Sequence, residues 1–439
     1  MSSELRGGAA TLREMALTSL QQGDAAQAEQ SFAKLLELLP GDVDALQFLA
    51  SRHLVRGDAI RAVSLLLAAA QSAPGNADIL HQLGTAQMAA GNLPGAVRTL
   101  RQAVETAPKM FMARLRLGMV LEKLHQNHDA LIAYFGAVNT AQAQGLWLSD
   151  ASTPPGLREV VKQTIRFIEA GRHRVFDQVL EPLRQRYGRS ELSRVEACLA
   201  IYLGEREIAS PDVRQKPKFL YFPGIPSQTY YGSERFPWHA KLEAATEVVR
   251  KEMREVLAEG FSLQPFLQAD SPEVLDGYLE TSTDQTPAWD AYFFYRHGER
   301  YDEQCSRCPN TSELLESLPL VRVRDHAPET LYSVLRPGTH ILPHCGVTNT
   351  RLVTHLPLIV PSDCALRVGG ETHVWEEGHC VTFDDTFEHE AWNKSNETRV
   401  VLIVDSWNPD LSEAERAAVA DLVGAIGDFN RASEIPSTN

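Results

Sequence analysis

Residues 57–74 read Gly57-Asp58-Ala59-Ile60-Arg61-Ala62-Val63-Ser64-Leu65-Leu66-Leu67-Ala68-Ala69-Ala70-Gln71-Ser72-Ala73-Pro74. Their punctuation returns every 34 residues, with Gly23, Gly57 and Gly91 in one column and Pro40, Pro74 and Pro108 in another. Ala28, Ala62, Ala96 and Ala130 keep the same period, each followed four places on by Phe32, Leu66, Leu100 or Tyr134. Leu49, Leu83 and Leu117 add a third register, each followed by Ala50, Gly84 or Gly118. A spacing of four puts a small and a large residue on one helix face. The small residues let paired helices approach closely. Gly followed by Asp or Asn turns one helix into the next, and Pro closes the second. Four helix pairs are expected, over residues 9–40, 43–74, 77–108 and 111–142.

This period and these columns resemble the tetratricopeptide repeat. The resemblance implies a helical solenoid over residues 1–145, a scaffold whose concave face docks a peptide or a partner domain, or packs against other chain. His53, His81, His125 and His128 lie here without metal-like spacing. Residues 146–208 read as a helical linker: Ser152-Thr153-Pro154-Pro155-Gly156 signals a break, and Leu157 to Tyr187 is helical and Arg-rich. Pro211 and Pro217 mark entry to a second domain, 209–439.

Composition sets the limits. The chain has 439 residues, 44% hydrophobic and 23% charged, with six cysteines. That is ordinary for a multidomain globular protein and excludes global disorder and a disulfide scaffold. No apolar run reaches the ~18–20 residues of a membrane helix. Met1 to Ala10 lacks the charged and apolar regions of a secretory signal, so a cytoplasmic location is expected. The first 200 residues carry 21 Lys+Arg against 19 Asp+Glu, whereas the remainder carries 21 against 38. So acidic a second half argues against a nucleic-acid partner.

From residue 218 onward, short β-rich runs alternate with turns. Strands are expected at Phe219–Phe222, Ala291–Tyr295, Thr330–Leu335, Arg351–Val360, Ala365–Val368, Thr372–Trp375, Val381–Phe383 and Arg399–Trp407, with one strong helix from Trp238 to Ala258. The fold class is therefore multidomain α + β, a helical solenoid followed by a jelly roll.

Seven of the 14 histidines fall between His326 and His389. Around them stand Arg336-Pro337-Gly338-Thr339-His340-Ile341-Leu342-Pro343-His344-Cys345-Gly346, then Arg351-Leu352-Val353-Thr354-His355, Trp375-Glu376-Glu377-Gly378, and Asp384-Asp385-Thr386-Phe387-Glu388-His389. Arg399 to Trp407 closes the set. With Phe222-Pro223-Gly224 and Phe236-Pro237-Trp238 near its start, this ordered set resembles the aspartyl/asparaginyl β-hydroxylase family of Fe(II)- and 2-oxoglutarate-dependent oxygenases, over roughly residues 218–410.

The resemblance implies a double-stranded β-helix, with His344 and His389 as iron ligands. It gives the distal carboxylate of 2-oxoglutarate to Arg399 with Ser333, and places His355 near the cosubstrate's other end. Most such oxygenases complete the site with His-x-Asp/Glu. Here Gly346 stands in the acid slot, as in the family's two-histidine variant, so that Gly346→Asp restores the triad on paper. Animal members carry Arg-x-Arg-x-His where this chain has Arg351, Val353 and His355. Arg351 and Asp385 are taken as substrate-side residues, with Asp385 alternatively orienting a ligand histidine. Asp384 reads as a turn residue.

His297-Gly298-Glu299 reads as a hairpin tip, and Cys305-x-x-Cys308 as a reduced thiol pair. Trp375, Phe387, Trp392 and Trp407 read as core. The implied reaction consumes O2 and 2-oxoglutarate and hydroxylates the β-carbon of Asp or Asn in a protein, peptide or carrier-bound amino acid. A lipid acyl chain is the alternative substrate. The alternative class is a repeat adaptor with a degenerate β domain.

Overall fold

The structure, a computed structural model, describes residues 3–258, 263–267, 277–281 and 286–434. It divides into two compact units. One runs to Arg174 and takes in the chain from Phe429 onward, and the other runs from Val175 to Asp428.

The first unit is built from antiparallel helix pairs: α1 (Ser3–Gln21) with α2 (Ala25–Leu38), α3 (Val43–Val55) with α4 (Ala59–Ser72), α5 (Ala77–Ala89) with α6 (Leu93–Thr106), and α7 (Phe111–Lys123) with α8 (Asn127–Ala143). The columns read from the sequence are its packing. A Cβ on Gly84 would lie 2.5 Å from Leu100, and one on Gly118 2.4 Å from Tyr134. Phe32, Leu66, Leu100 and Tyr134 are all buried, each contributing roughly 1.5–3 kcal/mol of hydrophobic stabilisation. Gly23, Gly57 and Gly91 have φ of 77°, 81° and 79°, the left-handed conformation that ends the first helix of each pair. Asp24, Asp58 and Asn92 then cap the second helix through side-chain bonds to the backbone N–H three residues on. The fourth pair breaks both rules: His125 holds the left-handed position at φ 58°, and Gln126 makes no side-chain cap. Helix α9 (Arg158–Tyr187) runs through the division between the units and is followed by α10 (Ser193–Tyr202).

The second unit carries two antiparallel sheets. Its strands are β1 (Tyr230–Tyr231), β2 (Gln264–Pro265), β3 (Leu279–Thr281), β4 (Trp289–Arg296), β5 (Glu299–Arg300), β6 (Thr330–Leu335), β7 (Thr339–His344), β8 (Arg351–Ile359), β9 (Cys364–Val368), β10 (Glu371–His373), β11 (Val381–Phe383), β12 (His389–Asn393) and β13 (Arg399–Trp407). The larger sheet has the order β1-β11-β8-β13-β6-β4-β2 with β5 paired to β4, and the smaller has β10-β9-β12-β7-β3. Alternation sorts the larger sheet's side chains. Val400, Leu402 and Val404 of β13 join Tyr332, Leu356 and Leu358 against α11 (His239–Ala244) and α12 (Thr246–Ala258). Val401 instead joins Leu335, Val353 and Phe383 against Ile341, Leu366 and Ala391 of the smaller sheet.

Several expectations are corrected. Phe219–Phe222 is not a strand; it makes one parallel bridge, Leu220 to Thr348, and Asn349 takes both backbone groups of Phe222. The strand at 372–375 is Glu371–His373, and the helix expected from Trp238 to Ala258 is broken after Ala244. The short strands β1, β2, β3 and β5 went unread, and so did β7 and β12 and the helices α13 (Asp302–Arg307), α14 (Pro309–Glu316) and α15 (Glu413–Ser433). His297-Gly298 does form the β4–β5 hairpin tip, with φ of 51° and 78°. Cys305 and Cys308 are free and buried.

The irregular fourth turn gives a stability test. Restoring the cap with Gln126→Asp is expected to add about 1 kcal/mol. His125→Gly relieves a left-handed conformation that costs a non-glycine residue about 1–2 kcal/mol, less the entropy glycine adds to the unfolded chain. Urea unfolding of the double variant should show a higher midpoint with an unchanged slope. A lower midpoint would mean that these side chains make contacts worth more than the turn.

Candidate active site

The facing sides of the two sheets enclose a cavity of about 150 Å³. Ser333, Arg351, His355, Arg399, Ile403 and Asp405 reach it from the larger sheet, and Ile341, His344, Leu366, His389 and Ala391 from the smaller; Gly346 and Asp385 line it from outside the strands. Every residue proposed from the sequence for the site is therefore brought to one place.

His344 and His389 face each other across the β7–β12 ladder, with ring centroids 4.1 Å apart. The ladder shifts register between His389 and Ala391, so that three residues of β7 oppose two of β12. Simple alternation from Ile341 would send Pro343 inward; the bulge sends His344 there instead. Each imidazole is held by its Nδ1, against the Leu342 carbonyl at 2.8 Å and the Phe387 carbonyl at 3.1 Å. This fixes the tautomer and leaves both Nε2 lone pairs for a ligand, the arrangement of metal-binding histidines. Burial, then the neighbouring His389, lowers the His344 pKa to about 4, and burial lowers that of His389. Both rings are neutral at ordinary pH.

Asp385 occupies the room that glycine leaves at 346. A Cβ on Gly346 would lie 2.2 Å from the Asp385 Cγ and 2.3 Å from both carboxylate oxygens. The Gly346 φ is not positive, so space, not backbone freedom, demands glycine. The paper restoration of a triad by Gly346→Asp is thereby overturned: the carboxylate already there belongs to Asp385. Its Oδ2 accepts from Arg351 Nη2 at 3.1 Å, whereas its buried Oδ1 has no partner. Arg351 also binds Asp405 Oδ1 at 2.7 Å, so its guanidinium is held between two carboxylates. Asp384 is the turn residue expected, accepting from the Thr386 N–H and hydroxyl and from Gln215. Burial raises its pKa to about 6.

Arg399 is 1% exposed and has no acidic partner among the described residues. Its Nη1 donates to Ser333 Oγ at 3.3 Å, its Nε is unpaired, and its guanidinium lies 5.1 Å from the Trp375 ring centre. Burial pulls its pKa down to about 10. His355 lies between Phe383 and Trp375, with an unpaired Nδ1 and a pKa far below the usual histidine range through burial and the Arg399 charge.

Sequence reading missed four participants. Trp289 donates its Nε1–H to Ser333 Oγ at 2.9 Å and lies 6.5 Å from His344; Phe266 stacks on Trp289 at 3.9 Å. Asp405 balances Arg351, and Trp375 floors Arg399. The only available signal was alternation, which puts Asp405 on the face of Arg399 and Ile403.

Comparison with known proteins bears on the same region. Residues 243–409 match the aspartyl/asparaginyl β-hydroxylase family, and residues 53–117 match the tetratricopeptide repeat. Aspartate β-hydroxylase domain-containing protein 2 is 32% identical in both Mus musculus and Xenopus tropicalis. The match covers 56 and 55% of this chain and 70 and 63% of those proteins. The aspartyl/asparaginyl β-hydroxylase of Homo sapiens is 39% identical over 30% of this chain and 17% of its own length. The ornithine lipid ester-linked acyl 2-hydroxylase of Rhizobium tropici is 33% identical over 42% of this chain and 62% of its own. The chain thus spans less than two thirds of several of these relatives.

Gly346→Ala is expected to destabilise the protein by about 1–3 kcal/mol, the cost of overpacking. In an Asp385→Ala background the colliding atoms are gone and that cost should shrink, a coupling read by a double-mutant cycle in urea. Equal costs in both backgrounds would show that the Asp385 carboxylate does not fill the space at Gly346.

Proposed function

Because this chain belongs to the aspartyl/asparaginyl β-hydroxylase family, we propose that it is an Fe(II)- and 2-oxoglutarate-dependent hydroxylase acting on the β-carbon of an aspartyl or asparaginyl group. In this reading the substrate is a protein, a peptide or a carrier-bound amino acid, and the repeats dock it or a partner. The observation that carries the reading is Arg399. A buried guanidinium without a carboxylate is costly, and it is kept where an anion will be bound. The distal carboxylate of 2-oxoglutarate is that anion, with the Ser333 hydroxyl as its second contact and Trp289 fixing that hydroxyl.

His344 and His389 would hold the iron through their Nε2 atoms; the donor set fits, since both rings are neutral, oriented and unpaired on that side. Iron bound there with 2-oxoglutarate supplies the oxidation of a C–H bond by O2 to C–OH, while the cosubstrate leaves as succinate and CO2. The chain's own part is to exclude water and to orient. Ile341, Val353, Leu366 and Phe383 wall the cavity with apolar surface. Arg351 holds Asp385 in place, and the unpaired Oδ1 accepts a hydrogen bond from whatever lies between it and the imidazoles. His355, neutral, lies toward the cosubstrate's other end.

An acyl chain is the second reading. A cleft of about 550 Å³ shares Phe266, Glu329 and Arg351 with the cavity and is lined by Phe219, Val321, Val323, Val347, Val419 and Val423. Apolar walls of this kind suit a hydrocarbon chain, and the Rhizobium relative is named for acyl hydroxylation. The adaptor reading loses support because a degenerate site has no use for an unbalanced buried cation.

Arg399→Ala should raise the 2-oxoglutarate concentration for half-maximal succinate release about 10–150-fold, equivalent to roughly 1.5–3 kcal/mol for a charge-assisted bond. His344→Ala and His389→Ala should each abolish that release, whereas His373→Ala and His379→Ala should retain it. An unchanged half-saturation in Arg399→Ala would move the cosubstrate site elsewhere. Succinate release coupled to an acyl substrate but to no peptide would select the second reading.

A further inference from the structure

On the side of the larger sheet turned away from the cavity, three different donors meet. His239 and Glu243 sit four residues apart on α11, one above the other on one helix face. Cys380 precedes β11 and alternates with Val381, so it points to the same side as Thr382, opposite the cavity-facing Phe383. One ligand atom from each of the three lies within 4.8 Å of those of the other two.

The histidine is set up as a ligand. It is 3% exposed, and its ring stacks on Phe236 with centroids 4.8 Å apart. Its Nε2 pairs with Thr382 Oγ1 at 3.0 Å, and that hydroxyl pairs in turn with Thr354 Oγ1 at 2.6 Å. The other ring nitrogen, Nδ1, is buried without a partner. A ligating imidazole shows this pattern: one nitrogen anchored to an oxygen, the other left open. Burial keeps the ring neutral, lowering its pKa to about 4. Glu243 is anchored too, its Oε1 accepting from the Cys380 N–H at 2.8 Å, which ties the helix donor to the strand donor.

We infer that His239, Glu243 and Cys380 form a zinc site separate from the active-site cavity. Imidazole nitrogen, thiolate sulfur and carboxylate oxygen together are a zinc donor set, and three protein ligands leave a fourth position for water. A thiolate and a carboxylate balance the charge of Zn(II), so the filled site is neutral. Closing the donors to tetrahedral separations of about 3.3–3.8 Å needs shifts of about 1 Å. Zinc there clamps α11 to β11, whose Phe383 forms part of the cavity wall.

Cobalt(II) reports the site directly, because a thiolate ligand adds a strong near-ultraviolet charge-transfer absorption that nitrogen and oxygen ligands do not. Full-length protein stripped of metal and titrated with Co(II) should develop that absorption at one equivalent and lose it on adding Zn(II). The absorption should persist in His344→Ala, which disables the cavity pair, and vanish in Cys380→Ser. His239→Gln and Glu243→Gln should each weaken Zn(II) binding at least tenfold. Glu243→Gln keeps the bond to the Cys380 N–H through its amide oxygen, so it reads the site even where Cys380→Ser fails to fold. A thiolate absorption that survives Cys380→Ser, or none in the wild-type protein, overturns the inference; so does zinc affinity unchanged in both helix variants.

Discussion

A positive charge enclosed between two sheets, with no negative charge among the described residues to answer it, is the condition around which the second unit is organised. Arg399 opens β13, the strand flanked by β6 and β8. On the strand's other face Val400, Leu402 and Val404 pack with residues of α11 and α12. What tolerance the guanidinium has comes from one hydroxyl, Ser333, and one ring face, Trp375. Each contributes less than an ion pair would, so the cost of burying the charge is offset only in part.

The contrast with Arg351 sharpens the point. On the same face of the same sheet, this second arginine is paired twice, with Asp385 and Asp405. Two arginines lining the same cavity thus have opposite electrostatic situations. The balanced one positions a carboxylate beside the two imidazoles; the unbalanced one keeps its charge against a hydroxyl and an indole ring. Glycine at 346 is what allows the first arrangement, since any side chain there would push the Asp385 carboxylate aside.

The helical repeats were legible because their constraints are local and periodic: a turn glycine, a cap, and a small residue against a large one, each recurring at 34. The central strands β6, β8, β11 and β13 were legible from β-branched runs. The strands that carry the two histidines were not. Thr339–His344 contains a proline and two histidines, and His389–Asn393 reads His-Glu-Ala-Trp-Asn, so neither shows clean alternation; tertiary pairing makes them strands. The site residues were named through resemblance to a family, but their relations were not in the text. Nothing in the order of residues announces that Asp385 fills the space beside Gly346, or that Trp289, some 40 positions earlier, fixes the hydroxyl of Ser333. Those are contacts between elements distant in sequence.

The extra residue in β7 has a consequence for how this surface can change over generations. Because strand side chains alternate, inward or outward is a matter of parity, and the bulge is a single parity flip placed between Ile341 and His344. Substitutions leave parity untouched, so the cavity's lining can drift one residue at a time while His344 stays in place. A one-residue insertion or deletion in the same stretch does the reverse. It preserves composition almost entirely, yet exchanges an imidazole for a pyrrolidine ring at the cavity wall. Length, more than identity, is the variable under constraint between Thr339 and His344.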